Sequence, residues 1–183
     1  MTVDGDLQAL IDWSKNHGAH LHESIIFTRE DDAGISLRTK QDSAPISAGS
    51  QLVTCPYTLS ISYLNALDTP SFPSRSAKFP ESFLVRFPKE TVMVFFLTQQ
   101  WLLKETSFWW PYIRCLPQPD EPDRLGTPLH FSSRDLLWLK GTNLEKAAEE
   151  RAESWKSMFR DARDQLEICG WDVGLYTWSV VQS

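Results

Sequence analysis

An α+β fold follows from three observations in this 183-residue chain. Apolar residues alternating at the two-residue period of a half-buried strand are confined to the stretch before Pro56. Three- and four-residue apolar spacing, the period of an amphipathic helix, takes over after Lys89. Between them lies a stretch with Pro70, Pro73, Pro80 and Pro88 among Ser, Lys and Arg, which reads as a loop or linker. The expected organisation is an opening helix and β-region over 1–68, a Pro-rich linker over 69–88, and a helical region over 89–183.

The first helix begins near Asp6, read as its cap. Leu7, Leu10, Ile11 and Trp13 favour one face, and Gly18 suits the residue past the last turn. A β-hairpin follows. Ser24-Ile25-Ile26-Phe27 is its first strand, Arg29 to Gly34 its turn, and the alternating Ile35-Ser36-Leu37-Arg38 its second strand. Residues Ser43 to Ser50 are polar and loop-like. Gln51 to Cys55 reads as another strand, ended by Pro56.

In the helical part, Val92, Phe95, Phe96, Gln99, Leu102 and Leu103 define one face between Lys89 and Lys104, broken only by the glutamine. Pro117 to Pro128 is a second Pro-rich stretch. Ser132, three residues before Asp135, forms a capping-box pattern opening a short helix with Leu136, Leu137 and Leu139. The longest helix runs between Asn143 and Cys169. Leu144, Ala148, Arg151, Trp155, Phe159, Ala162 and Leu166 recur along it, and Gly170 is placed to end it.

Composition narrows the function classes. Apolar residues make up 42% and charged residues 23%, a globular balance. With a net charge of −6 and no Lys/Arg cluster, the chain lacks the footprint of a nucleic-acid binder. Cys55, Cys115 and Cys169 are odd in number and widely spaced, which argues against a disulfide framework or zinc site and for a reducing compartment. The first residues are acidic and polar, unlike a targeting peptide. The apolar run from Val92 to Leu97 is far shorter than the roughly 20 residues of a membrane span.

Four stretches, in order, resemble one protein family. They are Leu10 to Ala19, with its Trp-x(4)-Gly ending; Gly34-Ile35-Ser36-Leu37-Arg38, at the place of a Gly-x-Gly-Leu turn; Val53-Thr54-Cys55-Pro56; and Leu103 to Ile113, closed by Leu116-Pro117. The last contains Ser107-Phe108-Trp109-Trp110-Pro111-Tyr112, a Ser-x-Trp-x-Pro-Tyr pattern. Thr127 to Phe131, Leu139 to Thr142 and Tyr176 to Val181 continue the series. The whole is similar to SET-domain protein methyltransferases of the Rubisco large-subunit methyltransferase-like branch, which includes ribosomal-protein lysine methyltransferases and the actin-histidine methyltransferase.

The resemblance implies the N-terminal portion of a SET domain, a small antiparallel sheet over roughly Ser24 to Pro56, followed by a mainly helical insertion. It implies S-adenosylmethionine as cofactor, with Ala33, Gly34 and Ile35 as the positions at the turn, where a glycine lets backbone approach a ligand closely. Ser36 stands where the family has its second glycine. A lysine-bearing protein is the implied substrate, with histidine as the other target known in the branch, in a cytoplasmic or nuclear setting. The family's second SET half supplies an arginine, an Asn-His segment and a tyrosine that align nitrogen, methyl and sulfur. No residue here matches those, so no catalytic residue is assigned, and weak cofactor binding with an incomplete active site is expected. The alternative function is a non-catalytic helical interaction module derived from such an enzyme. Strand edges around Ile25 to Phe27 and Leu52-Val53 are expected to promote self-association.

Other clusters carry blander readings. His17, His20 and His22 straddle a helix end and a strand start without a Cys partner, and read as surface histidines rather than metal ligands. Nothing in their spacing brings Glu105 and His130 together as an acid–base pair. Trp109, Trp110 and Tyr112 read as a packed corner at Pro111 rather than an aromatic cage. The charges from Glu145 to Glu167 read as a solvated helix face, or as a docking surface for the protein substrate.

Overall fold

The computed structural model describes residues 5–30, 34–119 and 125–182. Its contacts fall into two units, Met1–Ile61 with Phe108–Cys115, and Ser62–Ser107 with Leu116–Ser183.

In the first unit, α1 (Gly5–Asn16) buries Leu7 and half-buries Leu10, Ile11 and Trp13, the face its spacing selects. Asp6 lies inside the first turn rather than ahead of it, and its carboxylate pairs with Arg114. Gly18 takes φ +90°, and the Ala19 N–H returns 2.9 Å to the Ser14 carbonyl, closing the helix end. Strand β1 (His20–Leu21) pairs antiparallel with β4 (Val53–Thr54), and β2 (Ile25–Glu30) with β3 (Gly34–Thr39). The expected small sheet is therefore two separate two-stranded ladders. The stretch between β3 and β4 has no alternating pattern with which to bridge them, and the β1–β4 ladder spans only two residues. The hairpin is longer than its sequence pattern suggests. Arg29 and Glu30 stay in the ladder, opposite Ile35 and Gly34.

Helix α5 (Trp110–Ile113) packs on α1. Pro111 opens this helix instead of ending one, because a first-turn residue needs no N–H partner. Trp109 is 1% exposed, and its indole N–H donates to the Leu59 carbonyl at 3.2 Å. Phe108 sits edge-on to Trp13 at 5.3 Å. The packed-corner reading of this aromatic run thus describes Trp109.

The second unit is helical: α2 (Tyr63–Ala66), α3 (Glu81–Arg86), α4 (Lys89–Leu102), α6 (Ser133–Leu136), α7 (Asn143–Ile168) and α8 (Trp178–Val181). Its core is aromatic. Phe95 of α4 meets Phe83 of α3 edge-on at 5.6 Å, stacks on Phe159 of α7 at 6.1 Å, and stacks on Tyr176 at 5.7 Å. Helix α7 buries Phe159, Ala162 and Leu166, so its apolar stripe is covered only in its second half. Gly170 ends it at φ +77°. Ser132 caps α6, its hydroxyl accepting from the Asp135 N–H at 3.2 Å.

The stretch 69–88, read in the sequence as a linker, holds α3 and supplies Phe79, Phe83 and Leu84 to the core. Pro80 and Pro88 stand at the N-caps of α3 and α4, so two of the residues that suggested a linker are helix starts. The interruption of α4 by Thr98, Gln99 and Gln100 also has a physical account. All three are buried. The Ser107 hydroxyl donates to Gln100 Oε1 at 2.8 Å, Gln100 Nε2 to Ser76 Oγ at 2.8 Å, Ser76 Oγ to Gln99 Oε1 at 3.0 Å, and Gln99 Nε2 to the Ala77 carbonyl at 2.8 Å. Among the described residues no buried side-chain polar atom lacks a partner, which makes such burial tolerable. Among the same residues, no helix is long and apolar enough to cross a membrane.

Candidate functional site

The hairpin β2–β3 carries the turn on which the cofactor positions were placed. Ala33 lies outside the described residues. Gly34 opens β3 at φ +71°, opposite Glu30. A Cβ at Gly34 would meet nothing within 4 Å. Glycine is therefore favoured there by the left-handed backbone rather than by crowding, and the space above it is open to a ligand.

Pairing in register separates the two described cofactor positions. The cross-strand pairs Thr28–Ser36, Ile26–Arg38 and Glu30–Gly34 share one face, and Phe27–Leu37 and Arg29–Ile35 share the other. On the first face a polar cluster forms. The Ser36 hydroxyl lies 3.1 Å from Thr28 Oγ1 and donates to Glu30 Oε1, and Arg38 Nε donates to the same oxygen at 2.6 Å. Hydrogen bonding from Ser36, and then from Arg38, holds the Glu30 carboxyl below the ordinary carboxylate range. Ser36, the departure from a second glycine, is thus engaged with its own hairpin.

On the second face, Ile35 and Phe27 line a cavity of about 200 Å³, closed by Leu7, Leu10 and Ile11 of α1 and Val53 of β4. Lys15, His20 and Cys55 also border it. The second unit has a larger, open hollow of about 810 Å³, bordered by Tyr63, Lys78, Phe79, Glu81 and Val85. It was missed in the sequence because most of its wall comes from the stretch taken for a linker.

The remaining candidates separate. His17 Nδ1 lies 2.7 Å from the Trp13 carbonyl, His22 Nδ1 accepts from the Ser24 N–H at 3.1 Å, and His20 borders the cavity. Among the described residues no group of three or more His, Cys, Asp or Glu is arranged to hold a metal. His130 is engaged by Thr127 Oγ1 at 2.9 Å and the Gln182 carbonyl at 3.0 Å, with no bond to Glu105. On α7, Lys146–Glu150 at 3.6 Å and Lys156–Glu153 at 3.3 Å are exposed pairs of little energetic weight. Among the described residues no disulfide joins Cys55, Cys115 or Cys169.

No protein-family model matches the sequence. The chain is similar to a protein of Schizosaccharomyces pombe named ribosomal lysine N-methyltransferase set10, at 28% identity over 158 residues. That stretch is 85% of this chain and 27% of the relative, so the chain spans about a quarter of the relative's length. A stretch of that extent cannot avoid Gly34 or the segment from Leu103 to Pro117. The relative supports the resemblance to lysine methyltransferases of the SET type.

Proposed function

We propose that this chain forms the cofactor-turn hairpin and the helical insertion of a SET-domain, S-adenosylmethionine-dependent protein-lysine N-methyltransferase of the Rubisco-methyltransferase-like branch. The observation that carries the reading is similarity to a lysine N-methyltransferase over 85% of the chain. The substrate class is a protein presenting a lysine, a ribosomal lysine being what the relative's name gives as its target.

Gly34 is the residue of this chain that would let backbone meet the cofactor, since the space above it is open. When bound, the cofactor supplies a methyl group whose bond to sulfur breaks as a bond to the deprotonated lysine nitrogen forms. The chain's part is positional. Glu30, Ser36 and Arg38 fix the hairpin that presents the Gly34 backbone, and Ile35 anchors it over the apolar cavity.

Amide chemical-shift mapping tests this. With S-adenosylmethionine added to millimolar concentration, the Gly34 and Ile35 amides should shift, with a Kd in the millimolar range, about −4 kcal/mol. Shifts confined to the hollow around Lys78 and Glu81, with the hairpin silent, would overturn the assignment. A micromolar Kd would show that one wall suffices. The alternative, a non-catalytic interaction module, draws on the exposed apolar side chains of Leu136, Leu137 and Trp138.

A further inference from the structure

The apolar cavity of the first unit has a direction. Its wall on α1 is Leu7, Leu10, Ile11, Ser14 and Lys15, the i, i+3, i+4, i+7 and i+8 positions of one helix face. Eight helical residues rise about 12 Å, so the cavity is a slot running along about two turns of α1. Its ends differ. Leu7 is 2% exposed and closes one of them. Lys15 and His20, both exposed, stand at the other, on either side of the turn that the Gly18 N–H closes on the Lys15 carbonyl at 3.0 Å. An unfilled apolar slot forfeits packing contacts on every wall, and a tail inserted there restores them.

We propose that this slot binds a straight-chain carboxylate, its tail toward Leu7 and its carboxylate at Lys15 and His20. The inference stands independently of the cofactor reading. Three properties select the occupant. The first is size. The cavity holds about 200 Å³, and at about 30 Å³ for each water-sized group it takes a tail of six or seven carbons. The second is shape, since a slot along a helix with one closed end suits an unbranched chain. The third is charge. The wall carries two basic side chains and no acid, in a chain with 24 Asp and Glu against 18 Lys and Arg. The Lys15 stem lies along the apolar wall while its ammonium stays in water, which puts the positive charge at the mouth. Midway along the wall, the Ser14 hydroxyl donates to the Ile11 carbonyl at 2.9 Å. It offers no free proton there, so a polar group belongs at the mouth and not along the slot.

Methyl chemical-shift mapping of the full chain, with octanoate as the probe, tests this. The methyls of Leu10, Ile11 and Val53 should shift with a Kd at or below about 1 mM. From butanoate through hexanoate to octanoate, affinity should rise about three- to fourfold per methylene. Decanoate should bind no tighter than octanoate, because Leu7 closes the slot. Octylamine, with the same tail and the opposite charge, should bind about five- to tenfold more weakly.

Two variants separate tail from head. Val53→Trp, at a position 48% exposed, should fill the slot and abolish the shifts at Leu10 and Ile11. Lys15→Glu, at an exposed side chain, should keep the circular dichroism spectrum and reverse the order of octanoate and octylamine. Silence of the three methyls up to about 20 mM octanoate overturns the proposal, as do shifts that survive Val53→Trp. A rise in affinity that continues to decanoate overturns the closed end. Octylamine binding as tightly as octanoate, or an order unchanged in Lys15→Glu, overturns the carboxylate assignment.

Discussion

The hairpin β2–β3 and the helical packing around α4 hold themselves together by different physics. In β3 only Ser36 is even half-buried, and the polar face is fixed by hydrogen bonds converging on Glu30. Around α4, Val92, Phe95 and Phe96 are at most 1% exposed, and Phe95 packs against rings from α3, α7 and the 171–176 loop. The first kind of structure opens locally and adjusts, and the second melts as a block. A ligand-facing turn belongs on the former, and the mass that resists unfolding on the latter. Predicted perturbations should therefore differ in kind between the two regions as well as in size.

The largest effect belongs to Phe95→Ala. Its ring touches those of Phe83, Phe159 and Tyr176, so truncation removes the shared partner of three aromatic contacts. A loss of about 3–5 kcal/mol is expected in urea denaturation. A loss below about 1 kcal/mol would break the comparison, since it would mean that the aromatic block is not a tightly packed unit.

Next is the alkaline limb of stability. Burial pushes the Tyr176 hydroxyl up to about 12. Its folded pKa lies above the unfolded value near 10, so the stability it contributes is complete below about pH 10 and disappears as pH rises through about 12. The loss is on the order of 2–3 kcal/mol, and Tyr176→Phe should abolish that limb. Tyrosinate absorbance during a pH titration, read beside circular dichroism, checks it. Ionisation of Tyr176 near pH 10 without unfolding would show that the ring is not sealed in the core.

How much of this was legible in the sequence follows from the range of each signal. Helix α1 with Gly18, the hairpin, α4, the Ser132 cap and α7 with Gly170 are written in local periods and end residues, and all were read from them. Pairing of His20-Leu21 with Val53-Thr54 was not, because two-residue strands far apart carry no period. Helix α3 was hidden by prolines whose meaning depends on which side of them the helix lies. Gln99 and Gln100 interrupt an apolar stripe in sequence, and only folding reveals the serines that satisfy them. At the candidate site, the glycine at Gly34 was legible as a turn residue. That Ile35 and Gly34 face opposite ways follows from strand alternation once both are in the ladder, whereas the sequence pattern puts Ile35 in the strand and leaves Gly34 in the turn.

The smallest effects are expected at the hairpin itself, and they sharpen the comparison most. Glu30 accepts from both Ser36 and Arg38, and its carboxyl is held below the ordinary range. Because the folded pKa is depressed, its contribution is present above the unfolded pKa and is lost as pH falls through the lower folded value. Acidification should therefore loosen the hairpin before the helical unit responds. Ser36→Gly removes the hydroxyl and adds backbone freedom in the middle of β3, so it should mimic acid at neutral pH. Glu30→Gln should do so more weakly, since the amide oxygen still accepts. Hydrogen exchange is the measurement. The ladder amides of Ile26, Thr28 and Arg38 should lose protection in Ser36→Gly, while those of α4 and the melting temperature stay unchanged. If Ser36→Gly lowered the melting temperature by several degrees, the hairpin would be part of the same cooperative block as the aromatic core. If it left hairpin exchange untouched, the Glu30 cluster would be a surface ornament, and the backbone ladder alone would hold Gly34 in place.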